Sequence, residues 1–201
     1  YETYVLLFQA LPVEAATSKT LLPLMRVYHR MAVVHEPFVR AACERVVTGE
    51  VDVEPKDLTE LVRLHMQLRI MAPRFFEFAA EVLDFRFAYF SEDDIGDLAR
   101  AFRGLRYHSK LFFDVLRREL PYRMHEYAWW NLMDIAELYL DLGVNDREII
   151  DRVGNETYKL AFSMKPVYTA KALKVLTKLE TGDKRTFRLL ARTLPRGIFW
   201  L

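Results

Sequence analysis

The side chains that could do chemistry in this chain are five histidines, one cysteine, a short acidic run and two sets of cations. His29, His35, His65, His108 and His125 are scattered, and none has a second ligand-type residue at a spacing that reads as a metal site. Cys43 has no histidine beside it in sequence and reads as a buried small thiol. As the single cysteine it can support no disulfide framework, which is consistent with a reducing, matrix-like compartment. Glu92, Asp93 and Asp94 resemble a metal loop, but at a helix start three acids complement the helix dipole. The phosphate-cradling G-x-x-x-x-G-K-[ST], the dinucleotide G-x-G-x-x-G and the zinc H-E-x-x-H are all missing. The expectation is a protein that is not an enzyme, with no cofactor, no metal and no small-molecule substrate.

The cations are more informative. Lys171, Lys174 and Lys178 follow helical spacing, as do Arg185, Arg188, Arg192 and Arg196, so each set makes one stripe. Residues 159–201 hold ten basic and two acidic side chains in a chain whose net charge is only +1. Such stripes are the footprint expected for phosphate contacts on RNA, with binding that weakens as salt rises. They also suit the soluble outer face of a terminal repeat. A second, weaker surface is a ladder of Arg26, Arg63 and Arg100, continued by Glu137 and Lys174. Its rungs, roughly 10 Å apart in stacked helices, could track a single strand, although Arg and Lys are also good helix formers on solvated faces. Aromatics such as Trp129, Trp130, Tyr107, Tyr122 and Tyr127 could stack bases where they are exposed. Groups such as Phe75, Phe76 and Phe78 fall on core positions, and no base-reading residue is assigned.

The elements that must position these groups are helices. Residues 91–120 read as two amphipathic helices joined by a tight turn. Ile95, Leu98, Ala101, Phe102 and Leu105 form one face, and Leu111, Phe112, Val115, Leu116 and Leu120 another. The pattern recurs at a period of 37 residues. One first-helix column reads Leu21, Leu58, Ile95, Leu132, Thr169; another reads Met31, Leu68, Leu105, Leu142, Leu179. A second-helix column reads Val39, Phe76, Phe113, Ile150, Phe187. Cap signals keep the same period: Ser109, Asp146 and Asp183 precede second helices, where the column also holds His35 and Ala72. Thr17 and Ser91 are candidate caps for first helices, and Pro55, Pro73 and Pro166 sit in first turns. Asn145 with Glu148 could form a capping box. A fixed period of this size signals stacked helix pairs, none able to bury its apolar face alone.

The chain therefore divides into repeats at about 17–53, 54–90, 91–127, 128–164 and 165–201, with no linker to mark a domain boundary. Residues 1–16 read as the remnant of a preceding helix, and the first residue, Tyr1, suggests a processed product or part of a longer protein. The apolar end Ile198–Leu201 is expected to pack on the last helix or meet a partner. The stretch 84–90 alternates aromatic with other residues, as a strand would; inside a helical repeat it reads as the tail of a second helix with its aromatics filling the groove between units. Hydrophobic residues are 52% and charged residues 28%, a globular composition. No apolar run is long enough to insert in a membrane.

The 37-residue period, the segment SEDDIGDLARAFRGL and the following LFFDVLRREL resemble the heptatricopeptide repeats of organellar proteins related to the Fas-activated serine/threonine kinase family and to RAP-domain proteins. The resemblance spans about residues 17–194. It implies a right-handed α-solenoid acting in the mitochondrial matrix, on RNA or inside a large ribonucleoprotein. No RAP-like domain follows the repeats, so no nucleolytic activity carries over, and no base code is available to transfer. The combined expectation is an all-α solenoid of about five helix–turn–helix repeats. It would serve as an RNA-contacting structural subunit of a ribonucleoprotein such as the mitochondrial ribosome, its assembly intermediate or an RNA-processing complex, with other protein subunits as partners. The alternative is a protein–protein scaffold or accessory subunit of a mitochondrial complex without RNA contact, which the acidic residues 61–158 favour.

Overall fold

Amphipathic segments of 9 to 14 residues, most with a recognisable start signal, give ten α-helices and no strand among the described residues. The computed structural model describes residues 12–32, 35–182 and 184–193. In chain order the helices are α1 (Leu21–Met31), α2 (Glu36–Val47), α3 (Pro55–Leu68), α4 (Pro73–Arg86), α5 (Glu92–Gly104), α6 (Lys110–Arg123), α7 (Trp129–Asp141), α8 (Arg147–Leu160), α9 (Pro166–Lys178) and α10 (Lys184–Arg192). Single 3-10 turns follow α4, α6 and α8, at Phe87–Tyr89, Met124–Glu126 and Ala161–Ser163. No helix among the described residues is long and apolar enough to cross a membrane.

The start signals act as their chemistry requires. Ser91 Oγ accepts from Asp94 N–H while the Asp94 carboxylate accepts from Ser91 N–H, so two orphan amides of α5 are satisfied at once. Ser109 and Asp146 cap α6 and α8 in the same way, each accepting from the amide three residues on. Pro55, Pro73 and Pro166 each open a helix, where a missing N–H costs nothing. Two expected caps are corrected. α1 begins at Leu21, after a turn in which Thr17 N–H donates to Thr20 Oγ1, so Thr17 caps nothing. Asn145 lies one residue outside the cap of α8, because the shorter reach from Asp146 satisfies Ile149 N–H. Asp183, residues 1–11 and Ile198–Leu201 lie outside the described residues. Of the expected preceding helix, the described part holds one 3-10 turn, Val13–Ala15.

The helices form two rows. α1, α3, α5, α7 and α9 pack on one another in that order, and so do α2, α4, α6, α8 and α10. The apolar columns lie between and within the rows: Leu58, Ile95, Leu132, Phe76, Phe113 and Ile150 are all buried. Aromatic rings carry the packing from unit to unit. Phe76 meets Phe102 edge-on at 5.2 Å, Phe102 stacks on Phe112 at 4.4 Å, and Phe113 meets Tyr139 at 5.0 Å. Burying each such ring contributes on the order of 2–3 kcal/mol. α5 approaches α7 closely because Gly96 has no side chain: a Cβ there would sit 2.5 Å from Asn131 Oδ1. The stretch 84–90 is a helix tail and a 3-10 turn, not a strand. Phe87 and Phe90 are buried, but Phe85 and Tyr89 point to solvent, so only half of its aromatics fill the groove.

The turns after the first helices share one device. Ala32, Arg69, Arg106, Gly143 and Glu180 all hold a left-handed backbone, with φ of 51°, 57°, 52°, 67° and 52°. At the last four, the next residue's N–H returns five residues to close the helix: Ile70 to His65, Tyr107 to Phe102, Val144 to Tyr139 and Thr181 to Leu176. Only Gly143 is free of the Cβ penalty of that conformation. Nothing lies within 4 Å of the Cβ that alanine would add at Gly143, so the backbone alone sets the cost. Gly143→Ala is expected to lower stability by about 1 kcal/mol, and Arg106→Gly to raise it by about 0.5 kcal/mol. Urea unfolding midpoints with unchanged m-values check both.

Candidate functional site

The first-helix row carries the expected ladder, and the chain places acids against it. The guanidinium of Arg26 donates to both oxygens of Glu60 on α3, from Nε at 2.7 Å and from Nη2 at 2.5 Å. Arg63 lies 3.5 Å from the same carboxylate. Arg100 pairs with Asp97 at 2.7 Å and with Asp134 of α7. Arg103 reaches Glu137 of α7, and Lys171 of α9 meets the other oxygen of Glu137 at 2.9 Å. Arg26, Arg63 and Arg100 thus lie along the seam between neighbouring first helices, with their charges matched inside the chain. The hydrogen bond from Arg26 holds the Glu60 carboxyl below the usual range, and the bond that Arg100 donates to Asp134 pushes Arg100 up. Lys171 shifts the other way: partial burial lowers it, despite nearby carboxylates.

The last unit differs. Lys174 and Lys178 on α9 and Arg185, Arg188 and Arg192 on α10 are exposed, and none forms an ion pair among the described residues. Thr186 and Leu190 turn inward, so the three arginines share the outer face of α10. Arg196 lies outside the described residues.

Lys171 and Arg100, expected in two separate surfaces, meet in one cavity of about 390 Å³ between α5, α7 and α9. Its other walls are Trp129, Trp130, Met133, Asp134 and Tyr168. The Trp129 and Tyr168 rings lie 4.4 Å apart, and Trp130 stands perpendicular to Trp129 at 5.4 Å. Trp130 Nε1–H donates to Asp93 Oδ1 at 3.2 Å, and Asn131 Nδ2–H donates to the same oxygen at 2.9 Å. These two bonds lower the Asp93 carboxyl, Asn131 most, so the acidic run at the start of α5 also anchors α7. The sequence names Trp129 and Trp130 among aromatics that could stack bases, without assigning a base-reading residue, and gives no sign of Tyr168. The available signal was the period, which sets the first turns of α7 and α9 side by side.

A second grouping was hidden by separation along the chain. Cys43 Sγ lies 3.0 Å from His65 Nε2, and both side chains are buried. His65 Nδ1 is 2.7 Å from the Leu61 carbonyl, which can only accept. The Nδ1 proton is therefore fixed there, and Nε2 accepts the Cys43 S–H. Burial pushes the thiol up and the imidazole down to about 4. Both groups stay neutral, the opposite of an activated thiolate pair. Among the described residues no group of three or more His, Cys, Asp and Glu side chains could hold a metal ion.

Two measurements follow from these pairs. Glu137→Gln leaves Arg103 and Lys171 facing an uncharged amide in a partly buried seam, and is expected to cost about 2 kcal/mol in chemical denaturation. For His65, an unfolded imidazole titrates at about 6.5, so between that value and about 4 only the unfolded chain takes up the proton. Stability should fall by on the order of 3 kcal/mol as pH drops through that window and gain nothing from this group above it. His65→Gln should remove this slope from the unfolding midpoint measured against pH.

No protein-family model matches the chain, and no curated protein is similar to it.

Proposed function

We propose that the chain is a right-handed α-solenoid of five helix–turn–helix repeats with a 37-residue period. It acts as a non-enzymatic, RNA-contacting structural subunit of a large ribonucleoprotein in the mitochondrial matrix: the mitochondrial ribosome, an assembly intermediate or an RNA-processing complex. The repeat reading is supported by second helices that begin at Glu36, Pro73, Lys110, Arg147 and Lys184, and by left-handed turns at residues 32, 69, 106, 143 and 180. The resemblance to heptatricopeptide repeats supports the compartment and the class of partner.

The observation that carries the RNA contact is the contrast in how cations are used. Arg26, Arg63, Arg100, Arg103 and Lys171 have carboxylates of this chain within ion-pair reach. Lys174, Lys178, Arg185, Arg188 and Arg192 stand in solvent with none among the described residues, where a polyanion's phosphates can supply the counter-charge. Arg26, Arg63 and Arg100 remain a secondary surface, available to phosphate through whatever donors their carboxylates leave free. A scaffold without RNA contact is the competing reading, and the matched first-helix seam favours it, because a dedicated RNA groove would be basic along its length.

The test is binding of single-stranded RNA across a salt series. Binding should weaken with salt, and Arg185→Gln/Arg188→Gln/Arg192→Gln should reduce the slope of log K against log salt by about 2. An unchanged slope moves the contact elsewhere. No binding at low salt leaves the scaffold as the better account.

A further inference from the structure

We propose that the cavity between α5, α7 and α9 receives one unstacked nucleobase of single-stranded RNA; this rests on the RNA-contacting reading. The first argument is surface. Among the described residues seven aromatics are exposed, and two of them, Trp130 at 46% and Tyr168 at 40%, face the same space from neighbouring helices. With Trp129 they make two aromatic walls: Trp129 and Tyr168 in contact at 4.4 Å and tilted by 36°, with Trp130 perpendicular to Trp129. A planar ring can lie flat on one wall and meet the other edge-on, the two geometries that aromatic pairs prefer.

The second argument is rigidity. Trp130 is held by its bond to Asp93, which also holds Asn131, and Met133 forms a buried floor. The walls are set before a ligand arrives, so little ordering cost falls on binding.

The third argument is charge, and it selects the ligand. A cationic group, such as a methylated lysine, would meet Arg100 and Lys171 at the rim. A bare phosphate would meet cations whose charge Asp134, Asp97 and Glu137 already balance. A neutral planar group with both donors and acceptors on its edge suits the site. Lys171 and Arg100 have N–H donors beyond those in their ion pairs, and Asp134 offers carboxylate acceptors. About 390 Å³ lies at the low end of small-molecule sites, roughly 300–1,000 Å³, and admits one nucleotide rather than a length of chain.

Trp129 and Trp130 report on the cavity directly. The experiment titrates the full chain with each of the four ribonucleoside monophosphates and follows tryptophan fluorescence excited at the red edge. Saturable quenching is expected for at least one of them, about tenfold weaker in Tyr168→Ala and retained in Tyr168→Phe, which keeps the ring and controls for folding. The Arg185→Gln/Arg188→Gln/Arg192→Gln protein should be quenched as the wild type is, since its lesion lies in backbone contact. If no monophosphate quenches while RNA still binds with a steep salt slope, the cavity is not a base site and the RNA reading stands alone. If neither monophosphates nor RNA bind, both fail together. Quenching by short proline-rich or aromatic peptides but by no nucleotide would assign the cavity to a protein partner and overturn the proposal.

Discussion

A pair of amphipathic helices carries more apolar surface than the two can cover between them, and this shortage organises the molecule. Each unit must lend a face to the unit before and borrow one from the unit after. The consequence is visible in the packing: first helices lie on first helices, second helices on second helices, and aromatic rings pass from Phe76 through Phe102 and Phe112 across consecutive units. Polar contacts follow the same route. Tyr107 and Ser109 bond Glu77 of the preceding pair, Arg118 reaches Asp84, and Arg123 donates to the Phe87 and Phe90 carbonyls. Contacts formed between neighbours in sequence order are what a chain of locally similar segments can offer.

That arrangement explains which features were legible beforehand. Helices, their order and most of their caps follow from local chemistry: Ser91, Ser109 and Asp146 act where their side chains can reach the next free amides, and the helix-opening prolines act where the lost N–H is harmless. Of the five left-handed residues that close the first helices only Gly143 is legible, because Ala32, Arg69, Arg106 and Glu180 give no sign in their chemistry that their backbone is so held. Their conformation is imposed by the helix before and the buried residue after. The half-exposed stretch 84–90 shows the same limit. Alternation puts Phe85, Phe87 and Tyr89 in one class, whereas the helix tail and 3-10 turn bury Phe87 and expose the other two.

Groups that meet across units were harder still. An arginine column at regular spacing looks the same whether its side chains face water or a carboxylate one unit along, and Arg100 and Asp134 are 34 residues apart. Cys43 and His65, which share a hydrogen bond, are separated by 22 residues, so nothing local in sequence links them. The cavity at Trp129 combines residues from three helices, each of which has an ordinary local reading. Periodicity predicts which elements are neighbours. It says little about which of their polar atoms meet.

The ionic seam along the first helices has a mechanical meaning. Bridges from one helix to the next join α1 to α3 through Arg26 and Glu60, α5 to α7 through Arg100–Asp134 and Arg103–Glu137, and α7 to α9 through Glu137 and Lys171. A tension along the row loads an ionic link at those junctions, while among the described residues none joins α3 to α5. Apolar contact resists separation of two helices but tolerates small sliding, whereas an arginine fork on a carboxylate resists sliding in the direction of the row. Ions in solution screen the more exposed bridge from Arg26 to Glu60 more than the sheltered pair at Arg103 and Glu137. The row is therefore a spring of unequal coils, stiffest between α5, α7 and α9 and softer toward α1. Ionic strength sets how much of the bending falls on the softer end.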